Sequence, residues 1–350
     1  MASHPGPSSG TDRPLTNPLQ TMGEFELIAE FFQRPARHAV VGIGDDCALL
    51  QPAPGTQWAV SSDMLVAGRH FLADVDPCTL GHKALAVNLS DLAACGARPV
   101  AFTLALALPD ADPQWLRPFA QGLLALADTH GCELVGGDTT QGPLNICITV
   151  MGELPVVQGR SQALLRSGAR PGDDVYVSGT LGDARLALDC LQGRQTLPPA
   201  QLAAARARLE TPTPRVALGL ALRGVASAAI DVSDGLRGDL GHVLRASGVG
   251  VRLDTDRLLT LLAHGRHALD APLAPDTRLA CVLAGGDDYE LAFTAPLSAR
   301  AAVAAAADTS GTAVTRIGCI EAAPGVRLVD AQGRAMPDNY RSFDHFAPTT

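Results

Sequence analysis

Five short stretches of the sequence set aspartate beside glycine or serine at the ends of apolar runs: GIGDD at 42–46, SSD at 61–63, GGDTT at 136–140, DVSDG at 231–235 and GGDDYE at 285–290. A single Asp next to Gly is ordinary turn chemistry. A set of such sites is different, because each places an oxygen ligand where a predicted strand meets a turn, and glycine lets the backbone approach a ligand closely. Asp91 joins the set from a predicted helix, where Leu80, Ala84, Val87 and Asp91 share one apolar stripe. Unpaired carboxylates in such places are costly and oppose one another's ionisation, so a cation is expected among them. Hard oxygen donors with few histidines nearby suit Mg²⁺ rather than zinc, and Mg²⁺ commonly bridges to phosphate oxygens. In the first stretch, Asp46 is the expected ligand and Asp45 a support for the turn. Asp173 and Asp174 read instead as a solvated turn before a strand, and Asp288 is less strongly marked than its neighbours.

The usual nucleotide signatures are absent from the sequence. There is no G-x-x-x-x-G-K-[ST] and no H-R-D or D-F-G set, and VSGTLGD at 177–183 lacks the G-x-G-x-x-G spacing. A bound nucleotide would therefore be held mainly through metals.

The elements that must carry these side chains can be read from capping and periodicity. GEFELIAEFF is a short helix, and WAVSSDM a strand that delivers Asp63 at its end. Asp76 and Pro77 open the helix bearing Asp91, and Asp112 with Pro113 opens another that reaches about His130. VAFTLALAL is a strand ended by Pro109, and ELVGGDTTQGPLNICITVMGEL reads as strand, glycine turn, strand. A change of texture near 155–175 marks a domain boundary. Beyond it LGDARLALDC, TPTPRVALGLAL, LRGDLGHVLRAS and residues 298–308 are helical, ASAAIDVSDG is strand and turn, and CVLAGGDDYELAFTA is strand, acidic turn, strand. Mixed strands and helices in both halves give two α+β or α/β domains. After a tail at 1–22, they are an N-terminal domain at 23–155 and a C-terminal domain at 156–350.

Bulk composition narrows the function. With 350 residues, 47% of them hydrophobic, the chain can bury a full core. Its 36 acidic against 27 basic residues give a net charge of −9, the wrong field for nucleic acid. No apolar stretch reaches the length that spans a bilayer, so no membrane partner is expected. The 8 cysteines form no C-x-x-C pair and follow no secretory signal, so a reduced cytoplasmic protein is expected.

Taken in order, GEFELIAEFF, GIGDDCALL, SSDMLVAGRHF, GHKALAVNLSDLAACGA, LVGGDTTQGPLNI, VSGTLGDARLAL, AIDVSDGLRGDLGHVLRASGVG, GGDDYELAF and the final FDHF make the chain resemble the thiamine-monophosphate kinases over residues 23–346. These belong with aminoimidazole ribonucleotide synthetase, selenophosphate synthetase and the hydrogenase-maturation ATPase-like protein. The resemblance implies an N-terminal α/β domain that forms a dimeric β-barrel with its copy in a homodimer, and a C-terminal α/β domain over the ATP cleft. It implies Mg²⁺-dependent transfer from ATP to thiamine phosphate, giving ADP and thiamine diphosphate, with several Mg²⁺ ions and room for K⁺.

By the same resemblance Asp46, Ser61, Ser62, Asp63, Asp91, Asp138, Asp231 and Asp234 hold metal, with Asp91 bridging several ions. Gly137, Asp138, Arg166 and Ser233 contact ATP, and His70, Asp287 and Phe343 contact the thiamine phosphate. Two features depart from the family pattern: Asp287 stands where Glu is more usual, and the segment before Arg166 is longer than expected. The acceptor is already a phosphate monoester, anionic near neutral pH, so no residue is needed as a general base. The alternative is another ATP-dependent enzyme of the same superfamily. The first 30 residues hold no cysteine of the selenophosphate-synthetase kind, and the chain ends FAPTT without the cysteine-bearing tail of the hydrogenase-maturation branch.

Overall fold

The computed structural model of the chain describes residues 23–263 and 273–343. The tail expected at 1–22 and residues 344–346 of FDHF lie outside them. The described chain opens with α1 (Glu24–Leu27), which continues as a π-helical turn over Ile28–Phe32 and buries Leu27, Phe31 and Phe32. The first sheet is built from β1 (Thr56–Val66), β2 (Arg98–Leu108), β3 (Glu133–Gln141), β4 (Asn145–Val157) and the short β5 (Arg160–Ser161). Its order is β1-β4-β2-β3, with β5 on β4; only the β2–β3 pair is parallel. Two long helices cover one face, α2 (Pro77–Cys95) and α3 (Pro113–His130). Both start where the caps predict: Asp76 accepts from the amides of Cys78 and Thr79 at 2.9 and 3.0 Å, and Asp112 from Gln114 at 2.9 Å. Leu80, Leu85, Leu89 and Leu92 are all but fully buried along α2, each contributing about 1.5–3 kcal/mol over exposure.

The second sheet comprises β6 (Asp174–Ser178), β7 (Ala228–Val232), β8 (Gly250–Asp254), β9 (Glu290–Ala295), β10 (Val314–Glu321), β11 (Gly325–Val329) and β12 (Ala335–Met336), in the order β12-β11-β8-β10-β6-β9-β7. Around it lie α4 (Asp183–Leu191), α5 (Pro199–Glu210), α6 (Val216–Ala221), α7 (Leu236–Ser247), α8 (Thr255–Leu259), α9 (Pro275–Ala284) and α10 (Arg300–Ser310). The architecture is thus two α/β units. They meet along α2, which packs on α6 and β7, and the core under α2 runs on into Leu218, Leu222, Phe293 and Val303. The first sheet is open within the single chain. Its uncovered face presents Val60 and Met64, 63% and 52% exposed.

The structure corrects four local expectations. Asp63 lies inside β1 rather than at its end. GGDTT is not a turn: β3 runs straight through it. The parallel pairing with β2 brings the backbones so close that a Cβ on Gly137 (φ +151°) would sit 1.8 Å from the Leu104 carbonyl oxygen, so glycine keeps the strand continuous. The predicted strand CVLA is the last turn of α9, because Leu279, Val282 and Leu283 bury a helix-spaced stripe after the Pro275 start. Asp173 and Asp174 are buried, not solvated: Arg300 and Arg316, distant in sequence, hold the Asp174 carboxylate at 2.6 and 2.9 Å.

Candidate active site

The seam between the units holds a cavity of about 300 Å³. Asp63 from β1, Asp91 from α2, Asp231 from β7 and Asp234 from the turn before α7 line it. Strand alternation sends the Ser61 and Asp63 side chains to the α2 side of the first sheet, where the Ser61 hydroxyl donates to Asp91 at 2.5 Å and Asp63 lines the cavity; the Asp63 backbone amide donates to Asn88 Oδ1 at 3.1 Å. Ser62 points the other way, where its hydroxyl meets that of Thr149 at 2.9 Å. On α2, Ser90 donates to the buried Asp231 at 2.8 Å, tying the helix to β7.

These carboxylates act on one another. Burial, with Asp91 and Asp234 nearby, raises Asp63 to about 6. Burial also raises Asp91, against the hydrogen bond from Ser61 and the charge of Arg166, which pull it down. Asp231 goes to about 8, through burial first and then Asp91, with the Ser90 bond opposing. Charge of this kind in a partly closed space favours a cation. Among the described residues, no three His, Cys, Asp or Glu side chains converge into a ready-made metal cage. The oxygen donor set nevertheless fits Mg²⁺, which takes one or two carboxylates and completes its shell from waters and phosphates.

Asp239 shapes the DVSDG turn. One of its oxygens, Oδ2, accepts from the amides of Ser233, Asp234 and Gly235 at 3.0, 3.1 and 3.0 Å. The same cavity is walled by Ser233, His70, Asp287 and Phe343. His70 accepts the Val66 amide on Nδ1 at 3.0 Å, which makes Nε2 the donor nitrogen of the neutral ring. Phe343 is fastened by its amide to the Asp234 carbonyl at 3.1 Å, with the Arg69 guanidinium 4.7 Å from its ring centre. Lys83 reaches Asp287 at 2.7 Å. Arg166 lines an adjoining cavity of about 260 Å³ with Ser61, Asp91 and Asp231.

Asp46, Gly137 and Asp138 stand elsewhere. They line a larger cavity of about 600 Å³, beside Phe25, Ile28 and Phe32. There Asp45 accepts the Asp46 amide at 2.8 Å and so supports the turn, as expected. Asp288 faces inward, both carboxylate oxygens taking the Gly182 amide at 2.9 and 3.1 Å. Lys83, Asn88, Ser90, Asp239 and Arg69 are site residues that the sequence reading does not single out. The signal for three of them was present, as polar residues interrupting the apolar run of α2.

Comparison with known proteins shows the family. The N-terminal domain of the AIR synthase related proteins matches residues 44–154, and their C-terminal domain matches residues 170–331. The thiamine-monophosphate kinase of Salmonella typhimurium LT2 is 46% identical over 330 residues, 93% of this chain and 98% of that protein. The crystal structure of the thiamine-monophosphate kinase from Stenotrophomonas maltophilia K279a superposes with a TM-score of 0.77 at 45% identity, covering 89% of this chain and 96% of that one. AaThiL complexed with AMPPCP and TMP superposes with a TM-score of 0.69 at 28% identity, over 95% of this chain and 99% of that one. The chain belongs to the AIR synthase related family and, within it, to the thiamine-monophosphate kinases.

Proposed function

We propose that the chain transfers the terminal phosphoryl group of ATP to thiamine phosphate, giving ADP and thiamine diphosphate. The observation that carries this reading is the convergence of Asp63, Asp91, Asp231 and Asp234 on one cavity that also presents His70, Asp287 and Phe343. Its support from outside the chain is the activity named for its relatives and the AMPPCP and TMP bound by AaThiL.

In this reading Asp46, Ser61, Ser62, Asp63, Asp91, Asp138, Asp231 and Asp234 hold Mg²⁺. When bound, the metal neutralises charge on the phosphates and on the transferring group. Ser61 and Ser90 fix the rotamers of Asp91 and Asp231 through their hydroxyls. Asp239 holds the turn that aims Ser233 and Asp234. Gly137, Asp138, Arg166 and Ser233 contact ATP, with Arg166 supplying the cation beside Asp91. His70 offers Nε2–H to the acceptor phosphate, and Asp287 and Phe343 hold the rest of that substrate. Transfer then depends on bringing two polyanions into line, and no side chain has to remove a proton from the acceptor.

We further assign residues 23–155 and 156–350 to the two domains, cytoplasmic residence and a homodimer joined through the first sheets into a barrel. Cysteines free of disulfides support the residence. The exposed Val60 and Met64 on the uncovered sheet face support the dimer. Among the described residues no helix is long and apolar enough to cross a membrane.

The test is incubation of purified protein with ATP, Mg²⁺ and thiamine phosphate, with products identified by mass. Thiamine diphosphate and ADP in equal amounts are expected. ADP formed only with a different acceptor would overturn the reading.

A further inference from the structure

Lys83 lines a cavity beside the cleft and has no part in the phosphate and metal chemistry above. It lies on α2, two turns before Asp91, and its side chain is 5% exposed. A buried ammonium requires a partner, and removing that partner is strongly destabilising. Its partner is Asp287, at 2.7 Å to Oδ1, whose own side chain is 32% exposed. A tie made only for stability would bury both ends. Here the cation is inside and the carboxylate is in the cavity wall.

The carboxylate is pinned from several directions. Its backbone is left-handed (φ 60°), and its amide donates to the Ser233 carbonyl at 2.8 Å. A Cβ on the preceding Gly286 would lie 2.8 Å from that same carbonyl oxygen, so the loop has no room to relax. The Tyr289 hydroxyl also reaches Oδ1, at 3.3 Å. Oδ1 therefore takes both Lys83 and Tyr289, whereas Oδ2 accepts no hydrogen bond among the described residues. Asp287, Lys83 and His70 together line a second cavity of about 150 Å³ whose other walls include Leu72, Val75 and Leu188. The carboxylate thus lies between the cleft and this second cavity, whose lining mixes apolar side chains with Arg69, Asp74, Arg206 and Glu210.

We propose that Lys83 is a positioning residue for recognition of the acceptor: by holding Oδ1 of Asp287 it presents Oδ2 to the positively charged, heteroaromatic half of the substrate. This rests on the proposed function. It also explains how the shorter Asp serves where Glu is more usual, since the tie from α2 fixes the carboxylate without the extra methylene.

The test compares steady-state kinetics and thermal unfolding of Lys83→Met, Asp287→Asn and the double variant with the parent protein. Truncating one member of a buried charge pair is expected to raise KM for thiamine phosphate about thirtyfold. KM for ATP should stay within about twofold, because neither side chain of the pair bonds to a residue assigned to ATP or metal. The double variant should be no worse than the worse single one, since both act through one carboxylate. Unchanged KM for thiamine phosphate in Lys83→Met, or equal loss in both substrates' KM together with a lowered Tm, would overturn the positioning role. If Lys83→Met does not fold, Lys83→Arg keeps the charge but not the geometry, and must raise KM for thiamine phosphate at near-parental Tm. A parent protein that makes no thiamine diphosphate overturns the functional reading itself, an outcome distinct from a productive parent whose Lys83 variants bind the acceptor normally.

Discussion

Two groups of aspartates share one sequence signature but occupy different physical settings. Asp63, Asp91, Asp231 and Asp234 come from both α/β units and crowd the seam, where burial and mutual repulsion push the first three of them up. Asp46 and Asp138 come from the N-terminal unit alone and are exposed in a wider cavity beside the opening helical segment. The seam group is assembled only when the units dock. The outer group exists within one unit and can exchange ligand with solvent. On the proposed function, the seam group would conduct the transfer and the outer group would recruit the metal-bound nucleotide.

Substitution at Asp91 should produce the largest effect. Asp91→Asn is expected to lower kcat about a thousandfold at saturating substrates, with circular dichroism and Tm showing a folded protein. Near-parental turnover would remove the seam group from the chemistry. A direct contrast comes from Asp46→Asn, which should raise the Mg²⁺ concentration for half-maximal rate and KM for ATP about tenfold while kcat changes little. A fall in kcat as deep as that of Asp91→Asn would abolish the distinction between the groups.

A stability experiment sharpens it further. The folded-state value of Asp231 is about 8, against an ordinary 3.8, so the folded protein binds this proton more tightly than the unfolded chain. Stability is therefore lost as pH rises from about 4 through 8, and the loss is complete above that. Asp231→Asn should raise the Tm of the metal-free protein by several degrees at pH 8.5, and the gain should shrink toward pH 5. With Mg²⁺ and ATP present the order should reverse. The smallest effect concerns thiols. Burial pushes Cys132 and Cys281 up to about 12, so alkylation at pH 8 should spare them and modify the exposed Cys47 first, as peptide mapping would show.

Much of the scaffold was legible because it is local. Asp76–Pro77 and Asp112–Pro113 announce the two long helices through capping geometry that involves only neighbouring residues. The apolar stripe of α2 likewise marked Asp91 as a carboxylate in a costly place. The expectations that failed were those in which a distant partner overrides the local signal. GGDTT reads as a turn until the parallel β2 backbone lies against it. Asp173 and Asp174 read as solvated until Arg300 and Arg316 arrive from the far end of the chain.

The sequence by itself determined the donor atoms on offer: many aspartates beside glycine, few histidines and no phosphate-binding lysine loop. Only the tertiary structure decided which aspartates share a cavity, which face of β1 carries Ser61 and Asp63 while Ser62 turns away, and that Lys83 ends on Asp287. The physical reason is that residue type and local spacing fix the donor atoms a chain offers, whereas burial and charge coupling depend on surfaces far apart in sequence, and those form when the two α/β units close on α2.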